Sequence, residues 1–174
     1  MENRMTLIRR SLFVLLAAAV LPACSTLATN KADVTRYPIP GSDFPISQAV
    51  EVPVGKATIF HSGLTPAPFN PEARKFSFEY WGTTEQQAFS VLSKIKTSLE
   101  AIGLTMGDVV KMNVFLVTDP TKAGRMDFDG FMVAYRKFFG TSEQPKLPAR
   151  TTVQIPGLAA PGMLVEIEVV AVRP

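Results

Sequence analysis

Arg150, Glu166 and Glu168 have the residue types and spacing to do chemistry together in this 174-residue chain. Arg150 opens an apolar, β-branched run, Thr151 to Ile155, and both glutamates lie inside a second, Leu164 to Val172. Side chains alternate faces along a strand. Val165, Ile167, Val169 and Ala171 therefore share one face, and Glu166 and Glu168 the other. Two readings follow. In one, the glutamates form the solvated face of a half-exposed strand, where carboxylates are usually found. In the other, a guanidinium fixed near a carboxylate builds a site: the planar fork of Arg takes a small anion bidentately, and the carboxylate activates water. Composition does not choose between them.

Other chemistries are narrowed by counts. Cys24 is the one cysteine, which excludes an intramolecular disulfide and a multi-cysteine metal centre. His61 is the one histidine, so a His-based metal cluster or a Ser-His-Asp triad would have to use it. No metal and no organic cofactor is expected. The formal charge is +3, and the first 23 residues carry away Arg4, Arg9, Arg10 and Glu2, leaving the remainder at +1. That is no footprint for nucleic acid.

The N-terminus reads as an address. A basic start precedes an apolar run from Leu12 to Leu21, too short to span a bilayer core of about 20 residues. Residues 1–23 are expected to be a signal peptide. Leu21-Pro22-Ala23-Cys24 resembles a bacterial lipobox, with Cys24 the lipid-bearing residue and Ser25 favouring an outer-membrane destination. Pro22 departs from that pattern and leaves ordinary cleavage open. Residues 24–40 read as a polar tether and residues 41–174 as one domain. An exported, periplasmic, membrane-anchored lipoprotein is the expectation.

The elements that must position Arg150 and the glutamates follow from patterning. Ala49 to Val54 suits an edge strand because it contains Pro53. Gly55-Lys56 turns the chain into Ala57 to Ser62, so these two runs are expected to form a hairpin. Pro156 to Gly162 is turn chemistry joining the two C-terminal strands as a second hairpin. Lys75 to Trp81 alternates and reads as a strand or an extended loop. Thr84, with Gln87 three residues on, reads as a capping box opening a helix. Ala88, Val91, Leu92, Ile95, Leu99 and Ile102 give that helix one apolar face, and Gly103 stops it. Val109 to Thr118 is a nearly continuous apolar strand to be covered on both faces, with Lys111 and Asn113 needing partners. A second helix, about Met126 to Phe139, carries an aromatic stripe from Phe128 to Phe139 that reads as core. The sum is a two-layer α+β fold: a mainly antiparallel mixed sheet with two helices packed on one face. The other face would be wet in a monomer, and association would cover it.

Pro148-Ala149-Arg150-Thr151-Thr152-Val153 and Val165-Glu166-Ile167-Glu168-Val169-Val170-Ala171 resemble the C-terminal signature of the RidA/YjgF family of small imine and enamine deaminases. Ser62-Gly63-Leu64-Thr65-Pro66 is similar to the family's Ser-Gly-Gln-x-Pro, with Leu64 in place of Gln. Phe44 to Val50 is similar to Gly-Pro-Tyr-Ser-Gln-Ala, with Ile46 in place of the tyrosine that lines many family pockets. The resemblance implies a chorismate-mutase-like, trimer-forming fold with pockets between subunits. It implies that Arg150 clamps the carboxylate of a 2-imino acid, that Gly63 and Thr152 help to orient it beside Ile46, and that Glu166 positions water and relays a proton. Glu168 is then structural or exposed. Hydrolysis of imino acids to keto acids and ammonia is the expected activity. A non-catalytic trimeric binder of small carboxylates, or a protein-interaction module, stands as the alternative.

Overall fold

The computed structural model describes residues 33–174, all within the compact unit Lys31–Pro174. It places the apolar strand Val109–Val117 (β4) inside a six-stranded sheet. The other strands are Thr35–Pro38 (β1), Ser47–Glu51 (β2), Thr58–Leu64 (β3), Ala149–Ile155 (β5) and Val165–Val172 (β6). Their spatial order is β1-β2-β5-β4-β6-β3. β4 runs parallel to β5 and antiparallel to β6, β3 is antiparallel to β6, and β1 to β2. A single parallel pair, Ser47 with Ala149, joins β2 to β5. The sheet is mixed and mainly antiparallel, as patterning predicts.

Among the described residues the remaining sequence forms three α-helices: a single turn at Phe78–Trp81 (α1), the long Thr84–Ala101 (α2) and Phe128–Tyr135 (α3). α2 and α3 pack on each other, and α2 packs on β6. Met112, Val114 and Leu116 of β4 share a core with Val91, Leu92, Ile95 and Leu99 of α2 and Phe131 and Tyr135 of α3. Alternate residues of β4, Lys111, Asn113, Phe115 and Val117, are only half-buried. Phe60 on the same open face is 81% exposed. Lys111 donates to Thr151 Oγ1 at 2.9 Å and Asn113 to Glu168 Oε1 at 2.7 Å, so both find partners.

Several expectations are corrected. β5 and β6 form no hairpin, because β4 lies between them. Parallel pairing with β4 lets β5 enter the sheet interior, which a short turn into β6 would forbid. The second expected hairpin also fails: β2 pairs with β1, and β3 occupies the opposite edge. β1 falls within the stretch read as a tether. Arg36 fastens it there, donating to the carbonyls of Leu147 at 2.6 Å, Val109 at 3.0 Å and Gly107 at 2.9 Å. Lys75 to Trp81 is no strand; Ser77 caps α1 by accepting from the Tyr80 N–H. The capping box of α2 uses Thr83 and Gln86 rather than Thr84 and Gln87. α3 is shorter than the 126–139 expected. Cys24 and the signal peptide of residues 1–23 lie outside the described residues, as do residues 24–32 of the tether. Among the described residues, no helix is long and apolar enough to cross a membrane.

Candidate functional site

Arg150 pairs with Met112 across the parallel β5–β4 ladder, and Thr152 pairs with Val114. Directly paired residues point to the same face, and Met112 and Val114 face the helices. Both Arg150 and Thr152 therefore project into the layer between sheet and α3. There the guanidinium carbon lies 4.4 Å from the ring centre of Tyr135 and 5.1 Å from that of Phe131. Phe44 and Phe128 stand at 5.5 and 5.8 Å. Four rings thus hold one cation against their negative faces. The Tyr135 hydroxyl donates to the Pro45 carbonyl at 2.8 Å, which ties α3 to the loop carrying Phe44. Burial pushes the Tyr135 hydroxyl up to about 12, against the opposing pull of Arg150. Burial likewise lowers the pKa of Arg150, with Tyr135 opposing.

The arrangement leaves two polar atoms unmatched. Arg150 Nη1 and Thr152 Oγ1 are buried without a hydrogen-bond partner. An unsatisfied buried group costs roughly 1–3 kcal/mol, more when charged. Among the described residues no carboxylate forms an ion pair with Arg150. Arg150 Nη1 and Thr152 Oγ1 thus lie on one strand face with their hydrogen-bonding capacity unused.

Glu166 lies elsewhere. It pairs with Phe115 of β4, and Phe115 is three residues from Met112, hence on the opposite face. The carboxyl group of Glu166 rests over Gly63, where the β3–β6 register breaks between His61 and Leu64. Leu64, partly buried, packs against the core. Glu168 is engaged by Asn113 and reads as structural. Ile46 is half-buried on the loop that also carries Phe44, its N–H donating to the Phe44 carbonyl at 2.7 Å. The predicted residues thus fall into two groups: Arg150, Thr152 and Ile46 on the helix side, and Gly63 with Glu166 on the open side. One chain does not bring the groups together.

His61 is occupied: Nε2 lies 2.8 Å from Ser98 Oγ and Nδ1 2.8 Å from the Ser62 carbonyl, pinning β3 to α2. Among the described residues, no group of three His, Cys, Asp or Glu could hold a metal ion. Sequence reasoning missed Phe44, Phe128, Phe131 and Tyr135 as neighbours of Arg150. Its aromatic stripe was the available signal: a stripe at helical spacing reads as core, and here the same stripe also houses a guanidinium.

A family model described as Endoribonuclease L-PSP matches residues 40–173. The chain belongs to this family, the RidA/YjgF proteins whose C-terminal motif it carries. TdcF of Escherichia coli is 32% identical over 134 residues, 77% of this chain and 91% of that one. A RutC family protein of Haemophilus influenzae and the 2-iminobutanoate/2-iminopropanoate deaminase of Escherichia coli are each 38% identical over 87 residues. Those two matches span 50% of this chain and 62% of either relative. The crystal structure of Escherichia coli TdcF with bound serine superposes with a TM-score of 0.52 at 30% identity, covering 81% of this chain and 98% of that one.

Proposed function

We propose that this protein hydrolyses small 2-imino and enamine acids to 2-keto acids and ammonia, using its own side chains. The carrying observation is that Arg150 Nη1 and the Thr152 hydroxyl, on one face of β5, are both buried without a hydrogen-bond partner. A substrate carboxylate satisfies both. The names of the relatives, a deaminase of 2-iminobutanoate among them, support the reaction class. Serine bound to TdcF supports a small carboxylate as ligand.

The chemistry follows from the groups. Arg150 fixes the carboxylate and leaves the adjacent C=N carbon open to attack. Glu166 accepts a proton from water as the oxygen bonds to that carbon, then returns it to nitrogen. Glu166 then passes the proton of the adduct's hydroxyl to the departing nitrogen as the C–N bond breaks and the C=O bond forms, releasing ammonia and the keto acid. General acid–base help of this kind is worth roughly 10²–10⁴-fold, and holding an already electrophilic imine in place supplies the rest.

Because Arg150 and Glu166 occupy opposite faces of one sheet, the complete site needs Glu166 and Gly63 from a second copy. A homotrimer, its sheets forming a central barrel with pockets between subunits, is the assembly the family resemblance implies. The exposed Phe60 and Val153 on the open sheet face support it. We further propose export and lipid attachment at Cys24; retention of a Cys24→Ser variant in the membrane fraction would refute it.

The deciding experiment uses the full chain with imino acid generated in place by an amino-acid oxidase, following ammonia release. Wild type accelerates release and Arg150→Ala does not. Equal rates for both, at the uncatalysed level, end the proposal. If wild type at that level still binds a keto acid, it is a carboxylate-binding protein instead. Sedimentation of the same sample reads the trimer directly.

A further inference from the structure

The surroundings of Arg150 also bear on which imino acid it receives. Phe44 and Phe128 stack with ring centres 6.5 Å apart and planes within 12°. Both are only partly buried, whereas Phe131 and Tyr135 are fully enclosed. The first pair lies 5.5 and 5.8 Å from the guanidinium carbon while keeping part of its surface open, and half-buried Ile46 stands on the loop that carries Phe44. The neighbouring side chains that act electrostatically on Arg150 are Tyr135 and Arg136. On the reading of Arg150 as the carboxylate clamp, Phe44 and Phe128 are the partly open rings on which an α-substituent would rest. A bulky apolar substituent there leaves water for ring surface. A small one leaves a gap, and a polar one gives up water without gaining a partner.

We infer that the site selects imino acids with aromatic or branched aliphatic α-substituents over small or polar ones, and that Phe44 and Phe128 set this preference. The inference rests on the deaminase reading and adds the substrate class to it. Each methylene in an apolar pocket is worth about 10–200-fold in discrimination, so the preference is large enough to measure.

The test compares kcat/KM of the full chain for imines generated from leucine, phenylalanine and alanine. We expect the leucine- and phenylalanine-derived imines to be preferred by roughly tenfold or more over the alanine-derived one. Phe44→Ser and Phe128→Ser each shrink that ratio several-fold, and Phe44→Leu keeps it for the leucine-derived imine. The ratio is internal to each sample, so partial unfolding of a variant lowers all three rates and leaves the ratio intact. A wild-type ratio near one overturns the inference while leaving the deaminase reading standing. So does a ratio untouched by both serine variants. Failure to accelerate hydrolysis of any of the three imines removes the deaminase reading itself, and this inference with it.

Discussion

The carboxyl group of Glu166 fills the space a β-carbon on Gly63 would need: such a carbon would lie 3.1 Å from Glu166 Cδ and 3.2 Å from its Cγ, with Oε1 closer still. Gly63 is thus the floor on which the proposed water-positioning group rests. Gly63→Ala pushes the carboxylate aside without unfolding a sheet edge. A displacement near 1 Å costs on the order of 10²-fold in rate. The expected outcome is a loss of that size in kcat with little change in KM, and circular dichroism unaltered.

Arg150 separates stability from activity. A half-buried cation whose buried Nη1 finds no acceptor is a liability to the fold, because its desolvation is not repaid by a hydrogen bond. Arg150→Met is expected to raise or preserve the melting temperature while imine hydrolysis drops to background. Arg150→Lys keeps a charge but loses the planar fork, and is expected to recover little activity. Calorimetry and the ammonia assay on the same samples check both.

Gln87 is fully buried and engaged at both ends of its amide. It donates to the carbonyls of Gly82 at 3.0 Å and Gly162 at 3.1 Å, and accepts from the Leu164 N–H at 2.7 Å. It therefore anchors the entry to β6, two residues before Glu166. Gln87→Leu strands three backbone groups, at roughly 1–3 kcal/mol for each one left without water. A fall in unfolding free energy of at least about 2 kcal/mol in urea is expected.

Asp119 sets an acid limit. Burial alone would raise its pKa, but the hydroxyl and N–H of Thr121, at 2.6 and 2.8 Å, and the Thr84 hydroxyl at 2.7 Å outweigh that and hold it below the usual 3.8. A carboxyl lowered on folding stabilises above its unfolded value, and that stability is lost as pH falls through the folded value. Unfolding monitored from neutral pH down past 3.8 should show this loss. Asp119→Asn should be less stable than wild type at neutral pH, with the gap narrowing in acid.

Much of this architecture is legible in the sequence. Five of the six strands, the two main helices, the mixed α+β class and the engaged roles of Lys111 and Asn113 follow from alternation and helical spacing, whereas β1 sits in a polar stretch without periodicity. What failed was pairing. Turn residues between Ile155 and Leu164 say that the chain reverses, not which strand it then joins, and β4 claims the place between them. The capping frame slipped by one because Thr83-Thr84 and Gln86-Gln87 offer two equivalent boxes, and only burial of Gln87 breaks the tie. Arg150 was found by motif, but its face was not. Facing depends on register with β4, a relation between segments some forty residues apart, and so did the discovery that Glu166 points the other way.

The placement of β6 between β4 and β3 has a consequence for biogenesis. β3 and β4 never touch as paired strands; each waits for residues 165–172, made long after both. A nascent polypeptide that has emerged as far as α3 holds two unzipped edges and no means of joining them. Folding is therefore deferred to a late, long-range closure, of the kind that is slow and leaves strands open to wrong partners. Ribosome-bound intermediates ending before Val165 should be the species that chaperones hold.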